Sequence, residues 1–116
     1  MFGFHKKDTE INPYGVSDKI TFRNVDQTIT LFVRANVSTM LIKLRQAQER
    51  LSAMKDENTE TEREEAARMF AKSIFDDEQA EELMTFYNND PLAVITACGT
   101  YFNTRLSGII AKAQKK

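Results

Sequence analysis

The chain has 116 residues, 41% of them hydrophobic and 28% charged, with a formal net charge of −1. That length suits one domain with one core, burying roughly 60–70% of the surface that the unfolded chain exposes. A near-zero charge gives no global field for nucleic acid, a single cysteine excludes an intramolecular disulfide, and no run reaches the roughly 18 apolar residues of a membrane helix. Met1 to Lys7 lacks the apolar stretch of a secretory signal, so the expected location is the cytoplasm.

Residues 1–17 mix Phe2 and Phe4 with charges, followed by Pro13 and Gly15, and follow neither the strand nor the helix period. They read as an irregular N-terminal arm, leaving 18–116 as a single domain of hairpin plus helices. From Lys19 the pattern alternates. Ile20 and Phe22, then Ile29, Leu31 and Val33, share one face across a four-residue loop, Asn24-Val25-Asp26-Gln27. A β-hairpin over about 19–34 follows. Two strands alone are marginal in water, so this apolar face must be covered by a helix or another subunit. Phe32 points to the opposite face, which is then not wholly solvated. The exposed strand edges offer a route to a homo-oligomer.

Asn36 or Ser38 can cap the next helix, whose stripe is Met40, Leu44, Ala47, Leu51 and Met54. Thr61 with Glu64 makes a capping box for a helix through Ala66, Ala67, Met69, Phe70 and Ile74. Asp76 or Asp77 caps a short helix carrying Ala80, Leu83, Met84 and Tyr87, which stops at Asn88-Asn89. Asp90 is then an N-cap and Pro91 a first helical residue for a final helix to about Ala113, with its stripe at Leu92, Ile95, Phe102, Leu106, Ile109 and Ile110. Ala97, Cys98 and Gly99 form a small-residue patch in that helix against which Phe70 or Phe86 can pack closely. The predicted architecture is α+β, mostly α: a hairpin followed by a small bundle of four helices.

No residues assemble into a reactive constellation. His5 is the single histidine and has no second ligand beside it, Cys98 has no histidine partner, and the sparse glycines make no phosphate loop. The acidic run from Asp56 to Glu65 lacks the alternating oxygens and central glycine of a calcium loop and reads as a solvated helix start. Lys112, Lys115 and Lys116 form a basic tail without interleaved aromatics, so nucleic acid is not the expected partner. The expectation is a protein that is not an enzyme, with no catalytic residue, cofactor or metal. Aromatic surface is plentiful instead. Phe86 adjoins the stripe residue Tyr87, and Tyr101 adjoins Phe102, so Phe86 and Tyr101 are candidates for a partner surface. Phe2 and Phe4 join them because nothing local can bury them.

The runs Ala67-Arg68-Met69-Phe70-Ala71-Lys72-Ser73-Ile74-Phe75, Asp77-Glu78-Gln79-Ala80-Glu81-Glu82-Leu83 and Phe86-Tyr87-Asn88-Asn89-Asp90-Pro91 carry a likeness. They resemble the tail assembly chaperones of long-tailed phages and prophages of Gram-positive bacteria. The resemblance implies a small helical protein that binds the tape measure protein and keeps it soluble until the tail tube polymerises, with the tail tube protein as a second partner. It also implies a longer frameshifted product, for which the codons of Lys115-Lys116 would supply the slippery run. The alternative is a small DNA-associated regulator or a head-tail structural component that uses the same helices to self-assemble.

Overall fold

The computed structural model describes residues 15–55 and 59–114. In chain order it holds β1 (Gly15–Asn24), β2 (Gln27–Asn36), α1 (Val37–Ser52), α2 (Glu60–Ile74), α3 (Asp77–Phe86), α4 (Pro91–Tyr101), a π-helical segment (Phe102–Leu106) and α5 (Ser107–Gln114). The last three follow one another without a break, so the final helix is one rod in three sections. The α+β, mostly helical architecture expected from the pattern is the one observed.

The hairpin is longer than 19–34 and its connection is tighter. Gly15 pairs with Asn36 and the ladder runs to Asn24 opposite Gln27, leaving Val25 and Asp26 as a two-residue turn in place of the expected four-residue loop. Gly15, Val16 and Ser17, assigned by pattern to the irregular arm, are strand residues. Period-two reading cannot see a turn whose flanking residues still pair. The cost appears at Val25, which sits at φ 60°, a left-handed conformation unfavourable for a β-branched residue. Alternation sorts the two faces. Val16, Phe22, Leu31 and Val33 are buried towards the helices, whereas Ser17, Lys19, Thr21, Arg23, Thr28, Thr30, Phe32 and Arg34 are exposed on the outer face. Three cations and no carboxylate stand among those eight outer residues.

Each helix begins where a side chain can accept its first orphan N–H groups. Asn36, of the two candidates, accepts from Thr39 N–H at 3.2 Å. The box that opens α2 is Thr59 with Glu62, not Thr61 with Glu64. The T-x-x-E pattern occurs twice in overlapping register, and the upstream copy lengthens the helix by a half turn. Asp76 accepts from Gln79 N–H at 2.8 Å and so caps α3. Asp90 accepts from Leu92 N–H at 3.1 Å, with Pro91 first in α4. The end of α3 is equally specific. Asn89 N–H bonds to Met84 C=O and Asn88 N–H to Thr85 C=O, the paired closure of a Schellman motif, with Asn88 and Asn89 at φ 59° and 58°. Asparagine tolerates that region better than other residues with a Cβ.

Helix α2 is the hub, in contact with α1, α3 and α4. Its Ala67, Phe70, Ala71 and Ile74 are buried together with Met40, Leu44 and Ala47 of α1, Leu83 and Met84 of α3, and Val94 and Cys98 of α4. The hairpin closes this core through an aromatic trio. Phe22 meets Phe75 edge-on with centroids 5.9 Å apart and Tyr101 edge-on at 6.2 Å, while Phe75 and Tyr101 stack at 6.3 Å.

The first half of the last rod buries a different stripe from the expected one: Leu92 is 73% exposed and the inward positions are Val94, Cys98 and Tyr101, whereas further on Leu106 and Ile110 of the expected stripe are buried. The step from Tyr101 to Leu106 is one residue longer than an α-helical turn allows. The π segment supplies it, as Ser107 N–H reaches back five residues to Phe102 C=O. Without that insertion the inward position after Tyr101 would fall on Arg105.

Val25→Gly should stabilise the fold by about 1 kcal/mol, because glycine takes left-handed φ without the penalty of a branched side chain. Thermal unfolding followed by circular dichroism should show a midpoint raised by a few degrees.

Candidate partner groove

Helix α1 and the last rod each turn apolar side chains towards a shared groove. Leu41 and Leu51 of α1 flank the core residue Leu44 there, and Ile95, Gly99 and Phe102 follow the helical repeat across from them. Phe70 of α2 and Cys98 of α4 close the floor, and Arg45, Gln48 and Asn103 form polar margins. The groove encloses about 520 Å³. Leu51 is 37% exposed, and Leu41, Ile95 and Phe102 are half-buried, so the lining is apolar yet open to a visitor.

Gly99 has a role opposite to the expected one. A Cβ built on it meets nothing within 4 Å, so it admits no close helix contact; it leaves the groove wide. Phe70 does lie in the same groove as Cys98 and Gly99, whereas Phe86 does not. The Cys98 thiol is fully buried, and burial pushes its pKa up to about 12, so it stays protonated at neutral pH and is no nucleophile there.

The side chains singled out from the sequence are redistributed. Tyr101 is buried, 3% exposed, and is therefore part of the core rather than a partner-facing residue. Its neighbour Phe102 faces the groove instead, because the buried stripe runs through positions 94, 98 and 101. Phe86 is half-buried against Tyr87, ring centroids 5.0 Å apart, beside a separate hollow under the hairpin. Phe2, Phe4 and His5 lie outside the described residues. Leu41, Leu51 and Ile95, which pattern reading passed over or assigned to packing, supply most of the open apolar lining; their spacing was visible, but not which of two adjacent stripes would be covered.

A polar network locks the rod that carries the groove. The Tyr101 hydroxyl donates to Asp18 Oδ2 at 2.8 Å, and Arg105 donates to both Asp18 oxygens at 2.7 Å. The Asp18 side chain is only 7% exposed. Hydrogen bonding from Arg105, helped by the Tyr101 hydroxyl and opposed by burial, lowers the Asp18 pKa from 3.8 to about 2. Burial, with the Asp18 charge behind it, raises the pKa of the Tyr101 phenol, so the hydroxyl remains a donor throughout the physiological range. Among the described residues no cluster of three or more His, Cys, Asp or Glu side chains could hold a metal ion, and no helix is long and apolar enough to cross a membrane.

Set against protein-family models, curated proteins and solved structures, the chain matches none.

Two outcomes follow from this geometry. Asp18 is ionised in the folded protein down to about pH 2 but protonates near 3.8 when unfolded, so its contribution is complete above that value and disappears as the pH falls from there to 2. Urea unfolding of wild type and Asp18→Asn should differ by a constant amount above pH 5, and the two should converge below pH 4. At Gly99, alanine should stabilise by about 1 kcal/mol through helix propensity alone. Gly99→Leu should fold as well and fill the groove, which displacement of a fluorescent apolar probe by the variant's own side chain would report.

Proposed function

We propose that this protein is a non-enzymatic binding protein whose groove between α1 and α4 receives an apolar helix face of an extended partner. The observation that carries this reading is the pairing of two open apolar stripes at helical spacing across a floor made by Phe70 and Cys98. An amphipathic helix presenting side chains at i, i+3, i+4 and i+7 is the ligand that such a groove fits. Its volume accommodates a few such side chains and no more, which suits modest affinity and release.

The same reading meets the resemblance to phage tail assembly chaperones. A tape measure protein is a long helical chain with repeated apolar stripes, and many copies of a small groove-bearing protein can cover it. Each copy contributes little, while the array shields the whole length. Incoming tube subunits can then displace the copies one after another. Binding the tape measure protein and keeping it soluble until tube polymerisation is therefore the function proposed, with the cytoplasm of the host cell as its setting.

Co-expression with a tape measure protein of a long-tailed phage should give a soluble complex. The double variant Leu41→Glu, Leu51→Glu should keep its melting temperature within a few degrees but weaken the complex by about tenfold or more, since each leucine contributes about 1.5–3 kcal/mol when buried. Undiminished binding by this variant would remove the groove from the interface. Failure of the wild type to rescue solubility, with retention on DNA at physiological salt, would replace the chaperone reading by a DNA-associated one.

A further inference from the structure

We propose that a second copy of this chain docks on the β2–α3 side of the molecule, in a two-fold arrangement that inserts Phe32 of each copy into the acidic hollow of the other. The inference is independent of the groove between α1 and α4. Phe32 is 51% exposed on the outer face of the hairpin, opposite Lys19 on the neighbouring strand and two residues from Arg34. Its backbone is held in place. Its N–H donates to Gln79 Oε1 at 2.8 Å, and Gln79 Nε2 donates to its carbonyl at 2.8 Å, so the side-chain amide of α3 clamps the backbone of this one strand residue. The clamp also occupies the edge of β2, which leaves side chains, not strand hydrogen bonds, as the means of association there.

The matching surface lies on the other side of β2. Ile29 and Phe86 form the apolar base of an open hollow of about 430 Å³, rimmed by Glu78 and Glu82, with Glu81 beside them already paired to Arg68 and Lys72 of α2. It too is fixed in place: Asn24 Nδ2 donates to the Phe86 carbonyl and the Tyr87 hydroxyl donates to the Arg23 carbonyl, tying the hairpin tip to the end of α3. An aromatic beside two cations, Lys19 and Arg34, and one carboxylate, Asp76, faces an apolar base flanked by Glu78 and Glu82. The two lie three residues apart along β2, roughly 10 Å, so a two-fold axis beside this strand satisfies both at once, as an isologous interface requires. Duplex nucleic acid fits the basic hairpin face less well, because its phosphates would meet the carboxylates of α3 beside it, and three cations give only weak binding.

Charge reversal tests the pairing. Wild type should sediment as a concentration-dependent dimer that weakens as salt is raised. Lys19→Glu, Arg34→Glu and, separately, Glu78→Lys, Glu82→Lys should each raise the dimer dissociation constant by about tenfold or more, with circular dichroism melting curves like that of the wild type. An equimolar mixture of the two variants should restore the dimer, since every contact in the mixed pair is again between opposite charges. Phe32→Ser should leave folding intact and abolish the dimer. A wild type that stays monomeric at about 100 µM, far above the micromolar range of a modest specific interface, would overturn the proposal. So would reversal variants that dimerise as well as wild type, a mixture that remains monomeric, or a hairpin face that binds duplex DNA without self-association.

Discussion

A two-stranded hairpin cannot hold itself together in water, and the whole architecture answers to that constraint. Its inner face carries Val16, Phe22, Leu31 and Val33, all buried, and the helices are arranged to cover it. The decisive contact is the trio of Phe22, Phe75 and Tyr101, one ring each from the hairpin, the α2–α3 corner and the last rod. Three elements far apart in sequence are thereby fixed at one point. The Tyr101 hydroxyl continues the contact into a charged network with Asp18 and Arg105, so the polar end of the ring is satisfied where the apolar body is buried. Other hairpin bonds to the helices, among them those at Arg23, Asn24 and Phe32, lie outside this centre and add orientation to it.

The π segment belongs to the same solution. A helix that keeps a strict 3.6-residue period would carry Arg105 into the core one turn after Tyr101. Inserting one residue brings Leu106 inward and leaves Arg105 at the margin, where its guanidinium reaches both Asp18 oxygens. One local irregularity thus serves burial and charge pairing together. The groove is set by the phase of α4 before it, because the phase that buries Tyr101 is the phase that turns Ile95 and Phe102 towards α1. Fold and candidate site are consequences of the same registration.

Two apolar openings among the described residues differ in character. The groove between α1 and α4 has neutral and cationic margins, and its lining repeats at helical spacing, which suits a helix from an elongated partner. The hollow beside β2 is rimmed by carboxylates and lies next to a basic projection, which suits a copy of the same surface. In the proposed role of covering a long target, the two would act together, because joining two weak sites on one particle raises avidity without strengthening either contact.

Local chemistry was legible in the sequence. Asn36, Asp76 and Asp90 cap the helices they adjoin, and the Asn88 to Pro91 junction ends one helix and starts the next, because these devices depend on side chains within a few residues of the backbone they satisfy. The hairpin faces were equally plain, since alternation fixes them once the strands pair. What the sequence by itself left undetermined was phase. In the last rod two apolar stripes lie side by side, and the larger residues, Leu92, Ile95 and Phe102, marked the wrong one as buried. Only the tertiary structure decided between them, because the choice rests on the fit of Tyr101 against Phe22 and Phe75 and on the reach of Arg105 to Asp18. The contacts of Tyr101 with Phe22 and of Arg105 with Asp18 join residues more than seventy positions apart, and no local period encodes them.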